Sequence, residues 1–253
     1  MSNLIRGEFY KLRKSKYFIG MIILSLVVGF LLVALWVKDR EMNQGYQGGI
    51  LNGAYALTYG FDGIILGNLI FGLLGAGFIV KDFKSSNISK SFTYGYKRNQ
   101  VLFSKIVVFM IFSLLIEIIY VTTLVTYVSL KHGFFTVLNL NIILALARVI
   151  TIGITYNLAT ISIILGTAII TKSDFCTIVS PVILLVAFQL AFPMRRYPYI
   201  SHILSYLPYI TGMRVMGRFA SKAEIIRCII SSTLTFIITI GGSLLYVKHE
   251  DIK

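Results

Sequence analysis

Residues 17–37 read YFIGMIILSLVVGFLLVALWV and hold no Asp, Glu, Lys or Arg. Wound as a helix, such a run reaches about 31 Å, the thickness of a bilayer's hydrocarbon core. A helix apolar on every face has no stable place in water. In lipid its backbone satisfies its own hydrogen bonds. Five further apolar runs follow, at 58–80, 101–130, 141–171, 177–192 and 224–247. The pattern predicts an all-α integral membrane protein with six transmembrane helices in one domain over 1–253. Spans three and four are longer than one crossing needs, which predicts tilt or extension beyond the bilayer. Span five is short and carries Ser180-Pro181 near its start. Only 13% of residues are charged, about half the share in a soluble domain.

The net charge is +14. Its Lys and Arg cluster beside the apolar runs, which assigns them to lipid headgroups and topology rather than to nucleic acid. With the N-terminus inside, fourteen Lys and Arg fall on the inner side and nine on the outer, with Arg148 inside a span. That bias predicts cytosolic N- and C-termini. Segment 193–222 dissents, since six of the nine outer charges lie in or beside it. Its aromatic stretch YPYISHILSYLPYI predicts a re-entrant or interfacial helix pair whose basic residues meet outer-leaflet headgroups, the alternative being a different span count. The first apolar run is too long for a cleavable signal and lacks a small-residue cleavage site, so it is expected to stay as an anchor.

Residues 1–16 precede that anchor as an elbow helix along the inner surface. At 100° per residue Leu4, Ile5, Phe9 and Leu12 share one arc of about 140°. Arg6, Arg13 and Lys14 point away toward headgroups, and Lys11 lies at the arc's edge. Glu8 falls inside the apolar arc. Either the helix dipole favours it in the first turns, or it meets a basic partner on another element.

Two plain charges sit inside spans, Glu117 and Arg148. Unpaired charge at that depth is expensive. The expectation is that they pair, or that Arg148 pairs with Asp62 near the outer end of span two; a Glu117/Arg148 charge swap then restores folding. Span two also contains Gly63, Gly67, Gly72 and Gly75. Small residues let helices approach closely, either within one subunit or at a seam between subunits.

Catalytic signatures are missing. The sequence has no phosphate-cradling G-x-x-x-x-G-K-[ST], no H-E-x-x-H and no G-x-S-x-G. His132, His202 and His249 are scattered, and Cys176 and Cys228 have no metal-like spacing. No catalytic residue, metal or cofactor is expected in this chain.

Between spans two and three lies the basic island KDFKSSNISKSFTYGYKRNQ, residues 81–100. It is long for a topogenic loop and carries Phe83, Ile88, Phe92, Tyr94 and Tyr96 among its charges. Ser85-Ser86-Asn87 offer a cap for a short helix over 88–92. Apolar knobs with basic flanks suit docking in a groove.

The stretch EFYKLRKSKYF (8–18) and the stretch KDFKSSNISKSFTYGYKRNQVLFSKI (81–106) together resemble a known family. It is the six-span permease subunit of bacterial ABC exporters of the second class, of the small kind found in antimicrobial-peptide immunity and bacitracin-type efflux. In that family an acidic residue closes span two, a coupling helix follows, and an Arg then a Lys lead into span three. Asp82, Arg98 and Lys105 occupy those places, with Lys97 beside them, and Glu8 matches the acidic residue of the elbow. Lys84-Ser85-Ser86-Asn87 departs from the Gly-Thr often found there, and Tyr94-Gly95-Tyr96-Lys97 from the usual proline.

The resemblance implies a coupling segment at 83–98 that docks a separate ABC ATPase, with ATP and Mg bound by that partner. It implies a second permease chain, identical or a sister, in the bacterial cytoplasmic membrane. The implied cargo is an antimicrobial peptide or a lipophilic antibiotic, moved outward. Two rivals are an ATP-independent secondary carrier and a membrane immunity or scaffold protein that binds without transporting.

Overall fold

The computed structural model describes residues 2–42, 52–85, 95–134, 140–194, 197, 199, 204, 206–216 and 220–249. Among them every regular element is helical: α1 (Ser2–Lys14), α2 (Lys16–Met42), α3 (Gly53–Asp62), α4 (Ile64–Gly75), a π-helical turn (Ala76–Val80), α5 (Lys81–Lys84), α6 (Arg98–His132), α7 (Leu140–Thr171), α8 (Asp174–Met194), α9 (Pro208–Met216) and α10 (Lys222–His249). Five stretches are long and apolar enough to cross a membrane: Lys16–Lys38, Leu66–Lys84, Arg98–His132, Ile142–Thr171 and Lys222–His249. Asp174–Leu190 is a shorter apolar helix.

Span two is not the single rod expected over 58–80. It starts earlier, at Gly53, and breaks at Gly63 between α3 and α4. At the break the Tyr156 hydroxyl donates to the Phe61 carbonyl at 2.7 Å, covering a backbone acceptor that lipid could not serve. The span's glycines face different helices of this same chain. A Cβ at Gly63 would meet Leu32, at Gly67 Tyr120, at Gly72 Pro181 and at Gly75 Thr177. Close packing within one subunit accounts for all four.

Pro181 has a local consequence. Its missing N–H leaves the Thr177 carbonyl without its helical donor. The Ser180 hydroxyl donates to that carbonyl at 3.0 Å, and the bare Cα of Gly72 lets α4 lie against this notch.

Ser15 makes the elbow. Its Oγ donates to the Leu12 carbonyl at 2.8 Å and accepts from the Phe18 N–H at 3.2 Å, closing α1 and capping α2. Leu12 is buried, while Ile5 and Phe9 pack half-buried on the core. At the opposite end of the bundle Gly133 takes a left-handed φ of 75° and terminates α6. Its carbonyl accepts from the Gly53 N–H at 3.1 Å, and Asn52 caps α3 through the Tyr55 N–H at 3.0 Å.

Helices α7 and α10 run parallel: Ser162 Oγ lies 2.6 Å from Thr239 Oγ1, and one turn on Gly166 faces Ser243. The end of α10 therefore lies at the same end of the bundle as α1, α5, the start of α6 and the α7–α8 turn. Of the segment 193–222, α9 is buried against α7 and α10, with Tyr209 stacked on Phe188 at 4.2 Å. The preceding arm falls largely outside the described residues.

Candidate functional site

Four charged side chains meet where the elbow, the end of span two and the start of span three converge. Lys105 Nζ lies 2.9 Å from Glu8 Oε2 and also bonds Asp82 Oδ2. Lys11 Nζ reaches both Asp82 carboxylate oxygens at 2.6 Å. The side chains of Lys105 and Asp82 are 2% and 5% exposed, that of Glu8 15% and that of Lys11 47%. Two carboxylates thus face two ammonium groups, with Lys11 on the exposed side of the cluster. Lys105 Nζ also lies 5.2 Å from the Phe78 ring centre, a cation–π contact that suits a desolvated ammonium.

Local structure aims these groups. Glu8 and Lys11 are one turn apart on α1 and share its inward face. The π-helical turn before Asp82 shifts the helix register by about one residue, about 100° around the axis. Asp82 is thereby buried, whereas its neighbours Lys81 and Lys84 are exposed. The two neighbours project from a helix whose next turn ends at Ser85.

A second set of contacts ties α5 to the other side of the bundle. Lys84 pairs with Asp174 in the first turn of α8. Lys172, with a left-handed φ of 50°, places its ammonium 5.3 Å from the Phe83 ring centre. Beside these contacts lies an open cavity of about 540 Å³, lined by Tyr17, Leu73, Gly77, Lys81 and Asp174 among others.

Glu8, Asp82 and Lys105, singled out in the sequence, are thus brought together. Glu8 has a basic partner on another element, the second of the two readings of its place on the apolar arc. Phe83 lies in α5, at the end of span two beside the ionic cluster. Lys97 precedes α6 and Arg98 opens it. Ile88, Phe92 and Tyr94, and the short helix expected over 88–92, lie outside the described residues. Lys11 was missed as a member of the cluster; its spacing of three from Glu8 was the available signal.

The Glu117–Arg148 pairing is corrected. Glu117 is buried, and its Oε1 accepts from the Asn157 amide of α7. None of the ion pairs among the described residues joins Arg148 to Glu117 or Asp62. Register is the reason: α6 and α7 are antiparallel, and Asn157 lies level with Glu117. Arg148, nine residues earlier on α7, sits about 13 Å closer to the connecting loop. Glu117→Gln keeps the interhelical bond and is expected to change stability by less than about 1 kcal/mol, read as an unchanged thermal midpoint in detergent. The Glu117→Arg/Arg148→Glu exchange is expected to fold no better than Glu117→Arg alone.

The sequence model for a family described as ABC-2 family transporter protein matches residues 4–190, from α1 to near the end of α8. No curated protein and no solved structure matches the chain.

Proposed function

As a member of the ABC-2 transporter family, the chain is a membrane-embedded permease subunit of an ABC transporter, and we propose that it works as half of an ATP-driven exporter gripped from the cytosol at residues 83–98. Transporters of this family work with an ABC ATPase. Here the ATPase binds ATP and Mg, and this chain supplies no catalytic residue. The N- and C-termini are cytosolic. The partner permease is a second copy or a sister chain, and the cargo is an amphipathic antimicrobial peptide or a lipophilic antibiotic.

One observation carries the proposal: the buried Glu8–Lys105–Asp82–Lys11 cluster. It locks together both helices that flank the island, together with the elbow. A push on the island during ATPase closure then moves the ends of spans two and three and α1 as one body. A simple topogenic loop has no need of a buried, fully paired ionic joint at its base, because desolvating such a joint is costly. The Lys84–Asp174 and Lys172–Phe83 contacts extend the moving body to the α7–α8 turn.

Affinity purification of the chain from its host is expected to bring down an ABC ATPase. Charge reversal at both Lys97 and Arg98 is expected to reduce that recovery by about tenfold or more, with membrane insertion unchanged. Transport by the purified chain alone, without any ATPase, would favour the secondary-carrier alternative. Protection of cells that survives loss of the ATPase would favour the scaffold.

A further inference from the structure

The outward face of α1 overhangs a groove of about 430 Å³. Arg6 and Arg13 stand at its rim, and Phe9, Phe18, Ile111 and Leu115 are among its lining residues. Phe18 and Phe112 stack at 4.9 Å to form one wall. The two arginines are seven residues apart, two turns of helix, and so share a face. Both are exposed, and neither is ion-paired among the described residues. Every described carboxylate near α1 is taken up on its other face by Lys11 and Lys105.

Shape and charge together select the occupant. Ile111 and Leu115 are 46% and 40% exposed, and they lie about 9 and 15 Å further along α6 than Lys105. That depth matches the hydrocarbon of a single leaflet, about half of a 30 Å core. The groove therefore runs from two guanidinium groups at the interface down an apolar trough one acyl chain deep. Guanidinium groups bind phosphate through paired, charge-assisted hydrogen bonds. We propose that this groove is a specific site for an anionic phospholipid, with the phosphate held by Arg6 and Arg13 and one acyl chain laid against Phe18, Ile111, Phe112 and Leu115.

The bound lipid presses on α1 from the side opposite the ionic cluster. Its occupancy backs the face of α1 opposite Glu8 and Lys11, while the joint itself is closed by protein groups alone. The assignment of this end to the cytosolic leaflet rests on the proposed function; binding itself does not.

Native mass spectrometry of the detergent-purified chain, titrated with palmitoyl-oleoyl phosphatidylglycerol or phosphatidylcholine, tests the site without any ATPase. Two interfacial arginines predict a preference for phosphatidylglycerol of about thirtyfold. Arg6→Gln/Arg13→Gln is expected to bring it to about threefold or less at an unchanged melting temperature, since neither side chain has a protein partner among the described residues. Arg6→Lys/Arg13→Lys is expected to keep an intermediate preference. In an Ile111→Trp, Trp36→Phe chain, acyl-brominated phosphatidylglycerol is expected to quench the indole more than acyl-brominated phosphatidylcholine. Equal affinity for the two lipids overturns the proposal. So does a preference that survives the double glutamine variant, or a groove closed by a second copy of the chain and binding no lipid. An ATPase missing from the purification, with lipid selectivity intact, would instead count against the exporter assignment alone.

Discussion

Replacing Lys105 with Met is expected to destabilise the protein by about 3 kcal/mol or more. The substitution removes the Lys105 ammonium from both Glu8 and Asp82, while Lys11 stays on Asp82. Removing one partner of a buried ion pair typically costs about 3–5 kcal/mol, because the other charge stays desolvated. Retention of Lys11 at 2.6 Å from Asp82 puts the expected loss toward the lower end. Glu8→Gln is expected to cost less, since the Glu8 side chain is partly exposed and a Gln oxygen still accepts from Lys105. The informative variant is the double replacement Lys105→Met/Asp82→Leu. Apolar replacement of a whole buried pair is often neutral or stabilising, so its melting temperature is expected to recover most of the single variant's loss. Substrate-stimulated ATP hydrolysis by the assembled transporter is expected to stay lost, because α5 and α6 then have no shared joint. Recovery of both would reduce the cluster to a packing feature.

The second large effect is expected at Gly72. A Cβ there would lie 2.7 Å from Pro181 Cγ and 3.1 Å from the Thr177 carbonyl oxygen. One of these is a ring and the other is backbone, so neither yields easily. For Gly72→Ala, overpacking of about 1–3 kcal/mol is partly offset by the helix propensity of Ala, about 1 kcal/mol. The net loss is expected to stay below about 2 kcal/mol. Gly72→Leu gains no more propensity and adds three further carbons to a space with none. It is expected to separate α4 from α8 and abolish the sharp gel-filtration peak of the purified chain. A Gly72→Leu chain that elutes and melts like the parent would contradict the packing described for span two.

Much of this architecture was legible in the sequence, because lipid demands long apolar runs and helices are the simplest answer to it. The cluster was half legible. Glu8 violated its own helical wheel, which either the helix dipole or a partner on another element could explain, and the structure supplies the partner. Asp82 and Lys105 stood out through the resemblance rather than through periodicity. Lys11 looked like a snorkelling edge residue, since one helix wheel does not show what packs against it. The break at Gly63 was hidden by hydropathy, which treats Asp62-Gly63 as a dip inside a continuous span. No periodicity announces the π-helical turn, whose extra residue alters only the direction in which Asp82 points. Glu117 was assigned the wrong partner because charge was matched with charge. Depth counted from the shared loop left a gap that long side chains were expected to close, whereas the neutral Asn157 lies level with Glu117 and needs no such reach.

In the proposed exporter an ATPase grips this chain at the island between spans two and three, and the joint at its base passes the motion on. The most direct measurement places a photoreactive amino acid at Phe92 in living cells and identifies what it captures on illumination. The predicted product is an adduct with an ATP-binding subunit, which disappears when Lys97 and Arg98 are reversed in charge. Adducts confined to lipid or to extracellular proteins, with the ATP-binding subunit absent, would contradict it.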